Sequence, residues 1–237
     1  MPRPFLVREL CLIPEWLDLS AVVVGAFAGV FVGQKYKLDL VGFVGMCLIC
    51  ALGGGLLRDA IMQVGSVYAL ESRWAIPLCV ITAVVGFFFP GLLTRFPALY
   101  EWVDIVSVAL FVVAGADKAM DYGLHGTATV LMGTITGVGG GMLRDVFLGE
   151  IPHVFRQSNL YALCAVVGSA TFYCCMKFGL GDVVATAAAI AVVVIMRRLS
   201  LRYDIMSPAE VDLEPTVTGT GKRMLREIRR RGREKKQ

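Results

Sequence analysis

The sequence is poor in the residues that do chemistry in water. Of its 237 residues only 18% are charged, and the histidines are two, His125 and His153, both in polar breaks between apolar runs. Neither HExxH nor GxSxG occurs, so the zinc-hydrolase and serine-hydrolase readings lack their minimal residue sets. Among seven cysteines Cys47 and Cys50 form one CxxC, with no second pair to complete a zinc site. The fragment GVGGG at 137–141 has no βαβ context that would make it a dinucleotide fingerprint. A TVGYG-type carbonyl filter is also missing. The N-terminal MPRPFLVRELCLIPEW is interrupted by Arg8, Glu9, Pro14 and Glu15, unlike a cleavable secretory leader. No enzyme, no cofactor and no metal site are expected.

What the chain has in abundance is apolar sequence. Hydrophobic residues make up 57% and the mean hydropathy is +0.69, beyond what a soluble domain of this length needs for its core. Apolar runs approach the roughly 20 residues that cross a bilayer as a helix. The pattern predicts an all-α polytopic membrane protein with seven transmembrane helices near 17–33, 40–62, 74–93, 102–119, 124–148, 159–177 and 181–199. Short polar breaks separate them, and most cysteines fall inside them, where packing is their expected role.

An internal repeat organises these spans. Trp16-Leu17-Asp18 aligns with Trp102-Val103-Asp104 at an offset of 86 residues, which also carries Tyr36 onto Tyr122, Met46 onto Met132 and Arg58 onto Arg144. Between 16–62 and 102–148, 16 of 47 positions are identical, well above chance for this composition. Each copy holds three spans, and three is odd. The second copy must then enter the membrane from the opposite side, an inverted-topology repeat of the kind that builds transport proteins. The expected organisation is an N-terminal segment 1–15, a first repeat 16–95, a second repeat 102–180, a seventh helix 181–199 and a basic tail 200–237.

Basic residues near span ends set the orientation. Lys35, Lys37, Arg95, Arg156, Arg197, Arg198 and Arg202 fall on one side, joined by nine lysines and arginines between 222 and 237. That side is expected to be cytoplasmic, with the N-terminus outside, in a multi-pass protein of the inner (plasma) membrane. Residues 222–237 carry a net charge of +7 against −3 for the rest of the chain, so anionic lipid is the expected partner of the tail rather than nucleic acid.

Two liabilities recur within the repeat, as GGGLLRD at 53–59 and GGGMLRD at 139–145. Three consecutive glycines weaken a helix by about 3 kcal/mol relative to alanine. A charged side chain deep in a span costs about 2.5–3.5 kcal/mol or more without water or a partner. Gly53, Gly54, Gly55 and Gly139, Gly140, Gly141 are therefore candidate helix breaks that open backbone to a pathway. The competing reading is close helix–helix contact at small residues. Arg58, Asp59, Arg144 and Asp145 are candidate pore charges. Sequence neighbours diverge by about 100° on a helix, so each Arg is expected to find its partner elsewhere, Asp18 for Arg58 and Asp104 for Arg144. Asp117 and Lys118 stand where the first copy has Phe31-Val32, and Lys118 is a candidate vestibule cation that sets a barrier, responds to voltage or holds an anionic group.

The doubled GGGxLRD, AGADKAM at 114–120 and GEIPHVFR at 149–156 resemble the bacterial branch of the trimeric intracellular cation channel (TRIC) family, over about 16–200. The resemblance implies seven helices in a 3+3+1 arrangement and a homotrimer. It also implies a potassium-permeable pore in each subunit, lined by the first, second, fourth and fifth spans, the second and fifth of them kinked at the glycine triplets. Some bacterial relatives are associated instead with uptake of glycine or other small amino acids. Two functions thus stand: a monovalent-cation channel for potassium or sodium ions, or a transporter of small amino acids through the same pathway. A non-transporting scaffold is the remaining alternative.

Overall fold

The computed structural model describes residues 15–89, 97–155 and 160–205. Every regular element among them is a helix: α1 (Glu15–Lys35), α2 (Leu40–Met62), the single turn α3 (Tyr68–Glu71), α4 (Ala75–Phe88), α5 (Pro97–Asp121), α6 (Gly126–Phe147), α7 (Tyr161–Lys177) and α8 (Asp182–Arg202). Each of the seven predicted spans overlaps one helix, of 14 to 25 residues, and α3 is an additional turn in the connection after α2. Four helices are both long and apolar enough to cross a bilayer, at 17–35, 40–62, 99–121 and 182–202. The chain is an all-helical membrane protein. The N-terminal segment before residue 15, Arg95, Arg156 and the basic tail from residue 206 on lie outside the described residues.

Local chemistry fixes the connections. At the end of α1 the amides of Lys37 and Leu38 donate to the carbonyls of Gln34 and Gly33, and Lys37 takes a left-handed φ of 51°. This is a Schellman turn. It recurs 86 residues later, where Gly123 (φ 73°) and Leu124 donate to Met120 and Ala119. Asp39 then starts α2 by accepting the Gly42 amide at 2.8 Å.

Small residues let the helices approach closely, as lipid-embedded bundles require. Ala26, Ala51, Ala75 and Ala83 are buried in the core shared by α1, α2 and α4, and Ala116, Ala185 and Ala189 in that between α5, α7 and α8. At Gly29 of α1 an added Cβ would lie 2.5 Å from the Cα of Cys47 and 2.9 Å from the Met46 carbonyl on α2. Its counterpart Gly115 of α5 sits 2.9 Å, by the same measure, from the Met132 carbonyl on α6.

The centre of the fold is the crossing of α2 and α6, made by the glycine triplets. A Cβ at Gly54 would fall 2.1 Å from the Thr136 carbonyl, and one at Gly140 would fall 2.6 Å from the Cys50 carbonyl. A Cβ at Gly53 would meet Leu143 Cδ1 at 2.9 Å, and one at Gly139 would meet Leu57 Cδ1 at 3.0 Å. Each contact of one triplet has its equivalent in the other at the 86-residue offset. Both helices run through their triplets without interruption, which corrects the expectation of broken backbone at these positions. The physical reason lies on the partner helix: the flat glycine surfaces bring two backbones together, and that packing offsets the low helix propensity. Gly55 and Gly141 differ. Their added Cβ atoms would meet only Arg58 Nη2 at 3.9 Å, or Tyr161 Oη at 3.2 Å and Arg144 Nη2 at 3.8 Å.

Candidate functional site

Two cavities flank the crossing. The first is bordered by Asp18, Ala51, Gly55, Arg58, Ala114 and Thr136 among others. The second is bordered by Asp104, Gly137, Gly141, Arg144, Ala28 and Cys50 among others. Residue by residue, these two sets are related by the 86-residue offset. The third glycine of each triplet thus faces a cavity beside its own arginine, while the first two glycines make the wall between.

The charges are organised around two buried carboxylates. Asp59 Oδ1 accepts Arg58 Nε at 2.7 Å and Lys118 Nζ at 2.8 Å, and Oδ2 accepts the Tyr68 amide at 2.9 Å. Asp145 Oδ1 accepts Arg144 Nε at 2.8 Å, and Oδ2 accepts the His153 amide at 3.0 Å. The His153 ring Nδ1 lies 2.9 Å from that same Oδ2. Each carboxylate therefore neutralises the arginine before it and ties down the loop that follows its helix. This corrects the expectation that sequence neighbours cannot face each other. Arginine has enough methylenes to bend its guanidinium back over the next residue, and burial of both side chains makes that pairing favourable.

The longer-range pairings are partly realised. Arg144 Nη1 comes within 3.9 Å of Asp104 Oδ1 and donates to Tyr100 Oη at 3.4 Å. Arg58 and Asp18 border the same cavity, and Arg58 Nη1 donates to the Ala114 carbonyl at 3.4 Å. Lys118 reaches out of α5 to bridge Asp59 and the Ser66 carbonyl, the latter at 2.9 Å. It fastens the loop after α2 to the second repeat. Asp117, next to it on α5, is half-buried. Cys47 and Cys50 are buried in α2 as free thiols, and no cluster of potential metal ligands occurs among the described residues.

Several partners in this site escape sequence reading. His153 and Tyr68 enter it through loops whose path a hydropathy pattern leaves open. Tyr36 donates to Glu150, joining the α1–α2 turn to the loop after α6. Its equivalent Tyr122 lies against Gly65 in the loop after α2, its hydroxyl 2.0 Å from where a Cβ would stand. The repeat was the available signal, since Tyr36 and Tyr122 are one of its identical pairs.

This helical membrane protein thus holds two equivalent charged cavities on either side of a tight central crossing. A family model described as "Glycine transporter" matches the chain twice, at residues 15–90 and 101–177. The chain is 31% identical over 201 residues to the UPF0126 inner membrane protein YadS of Escherichia coli K12, covering 81% of this chain and 94% of that protein. It is 32% identical over 160 residues to a UPF0126 membrane protein of Deinococcus radiodurans, covering 67% and 74%. Among solved structures, the TRIC trimeric intracellular cation channel orthologue from Rhodobacter sphaeroides superposes with a TM-score of 0.74 at 29% identity, covering 80% of this chain and 97% of that one. A prokaryotic TRIC channel crystallised in 0.5 M KCl gives 0.72 at 26% identity, covering 80% and 96%. The chain belongs to the bacterial branch of the TRIC family.

Proposed function

We propose that this protein is a monovalent-cation channel, permeable to potassium, with one pathway per subunit running through the two cavities beside the α2–α6 crossing. The observation that carries this reading is the pair of equivalent cavities, each bordered by one carboxylate and one buried arginine, Asp18 with Arg58 and Asp104 with Arg144. The second cavity is bordered by one carboxylate, Asp104, and one arginine, Arg144, whose charge is offset by its ion pair with Asp145, which favours a cation over an anion. Its solved relatives, one described as a cation channel orthologue and the other as a TRIC channel, support this reading.

The α1–α4 and α5–α7 groups are the two inverted repeats of this reading, with α8 as the seventh helix. The N-terminus lies outside, the C-terminus is cytoplasmic, and the basic tail rests on anionic lipid of the inner membrane. The functional unit is a homotrimer. Apolar faces left open by single subunits, such as Ile81, Val85 and Phe88 on α4 and Val183 and Ile195 on α8, are available to lipid or neighbouring subunits.

The second reading, transport of glycine or another small amino acid, is favoured by the description of the matching family model. It gains less from the geometry. A substrate carboxylate would need a half-helix N-terminus, and α2 and α6 are unbroken. It would otherwise compete for arginines that Asp59 and Asp145 already neutralise.

Purified protein in planar bilayers under asymmetric KCl separates the two. A current reversing near the potassium equilibrium potential supports the channel. Saturable glycine uptake into liposomes, with no conductance, replaces it by the transporter. Gly55→Leu is the informative variant, because its side chain enters the first cavity rather than the helix crossing, and it is expected to lower the current at least fivefold.

A further inference from the structure

Phe111 on α5 is the one residue that borders both cavities among the described residues. Its repeat equivalent is Gly25 on α1. A Cβ placed on Gly25 would lie 3.0 Å from Phe111 Cε2 and 2.9 Å from the Cα of Ala51. Around this spot the two repeats supply equivalent pairs, Ala28 with Ala114 and Cys50 with Thr136. Here one repeat supplies a ring and the other the slot that receives it. Two phenylalanines could not fit, since even a methyl group at position 25 crowds the ring already present.

Beside the ring the wall is the α2–α6 crossing. Gly54 lies against the Thr136 carbonyl and Gly140 against the Cys50 carbonyl, so widening it there means separating two packed helices. The ring of Phe111, half-buried, turns about its own side-chain torsions between staggered wells. An apolar constriction between two charged, wettable cavities excludes ions by staying dry. We infer that Phe111 is the plug of the pathway, and that rotation of its ring out of the slot beside Gly25 joins the two cavities. This rests on the reading of the cavities as one conduction route.

Thiol accessibility tests it without relying on conduction. In one parent the other six cysteines are replaced by alanine and Cys50, on the second cavity, is kept. In the other parent Cys50 is also replaced and Thr136→Cys places the thiol on the first cavity. Full-length protein in sealed vesicles is treated with a membrane-impermeant methanethiosulfonate cation from either side. Each parent is expected to label from one side only, the two from opposite sides. Phe111→Ala is expected to raise far-side labelling at least tenfold in both, and Phe111→Leu, which keeps most of the apolar volume, is expected to preserve sidedness. Unchanged far-side labelling in Phe111→Ala, or labelling of neither parent, overturns the plug. Potassium flux in the same vesicles reports on the channel reading separately. A silent wild type whose Phe111→Ala variant still loses sidedness retains the plug and removes the passive channel. A conducting wild type with sidedness unchanged by Phe111→Ala does the reverse.

Discussion

Replacing Gly54 and Gly55 by alanine, one at a time, should shift stability in opposite directions although the residues are adjacent in one helix. At Gly54 the new methyl would stand 2.1 Å from the Thr136 carbonyl oxygen, about 1.4 Å short of a relaxed contact near 3.5 Å. The obstacle is backbone of α6, so relief requires moving one helix off the other, and overpacking of this kind costs about 1–3 kcal/mol. The gain in helix propensity, about 1 kcal/mol, offsets only part of it. At Gly55 the nearest atom to the new methyl is Arg58 Nη2 at 3.9 Å, so the propensity gain stands alone. Thermal unfolding of detergent-purified protein, followed by size-exclusion of the surviving fraction, is the assay. Gly54→Ala is expected to melt several degrees below wild type and Gly55→Ala at or above it. Equal melting temperatures would refute the claim that the first two glycines of each triplet serve the crossing and the third faces a cavity. Gly140→Ala should repeat the loss in the second copy, where a Cβ would stand 2.6 Å from the Cys50 carbonyl.

Other consequences concern the charges. Arg144→Met leaves Asp145 buried without its main partner and should destabilise the protein by about 3–5 kcal/mol, read as a lowered melting temperature. Adding Asp145→Asn should recover at least half of the loss, and no recovery would deny that the two act as a pair. Lys118→Met removes one of two cations from Asp59 and frees the Ser66 carbonyl, so its single-channel open probability should depart from wild type at every voltage while ion selectivity holds. An unchanged open probability would leave Lys118 a structural lysine only. Tyr36→Phe deletes the bond to Glu150 and should raise hydrogen exchange in the loop at 149–155, leaving that at 63–67 as it was.

The sequence alone determined the class of the molecule, because hydropathy over a span length is a property of composition and no tertiary contact is needed to read it. It also determined the repeat: sixteen matches at one offset fix which residues are equivalent before any coordinates exist. The significance of the glycine triplets was less legible. A run of glycines is compatible with an unwound segment and with a close crossing, and the choice depends on whether another backbone lies within contact distance. The Thr136 and Cys50 carbonyls, 82 and 90 residues away in sequence from Gly54 and Gly140, decide for the crossing. The partners of Arg58 and Arg144 were likewise left to the tertiary structure, since an adjacent carboxylate can be reached only if burial holds both side chains in one geometry. That Phe111 and Gly25 share one slot could be seen only after folding, because the asymmetry lies in a space between helices and leaves no periodic trace along the chain.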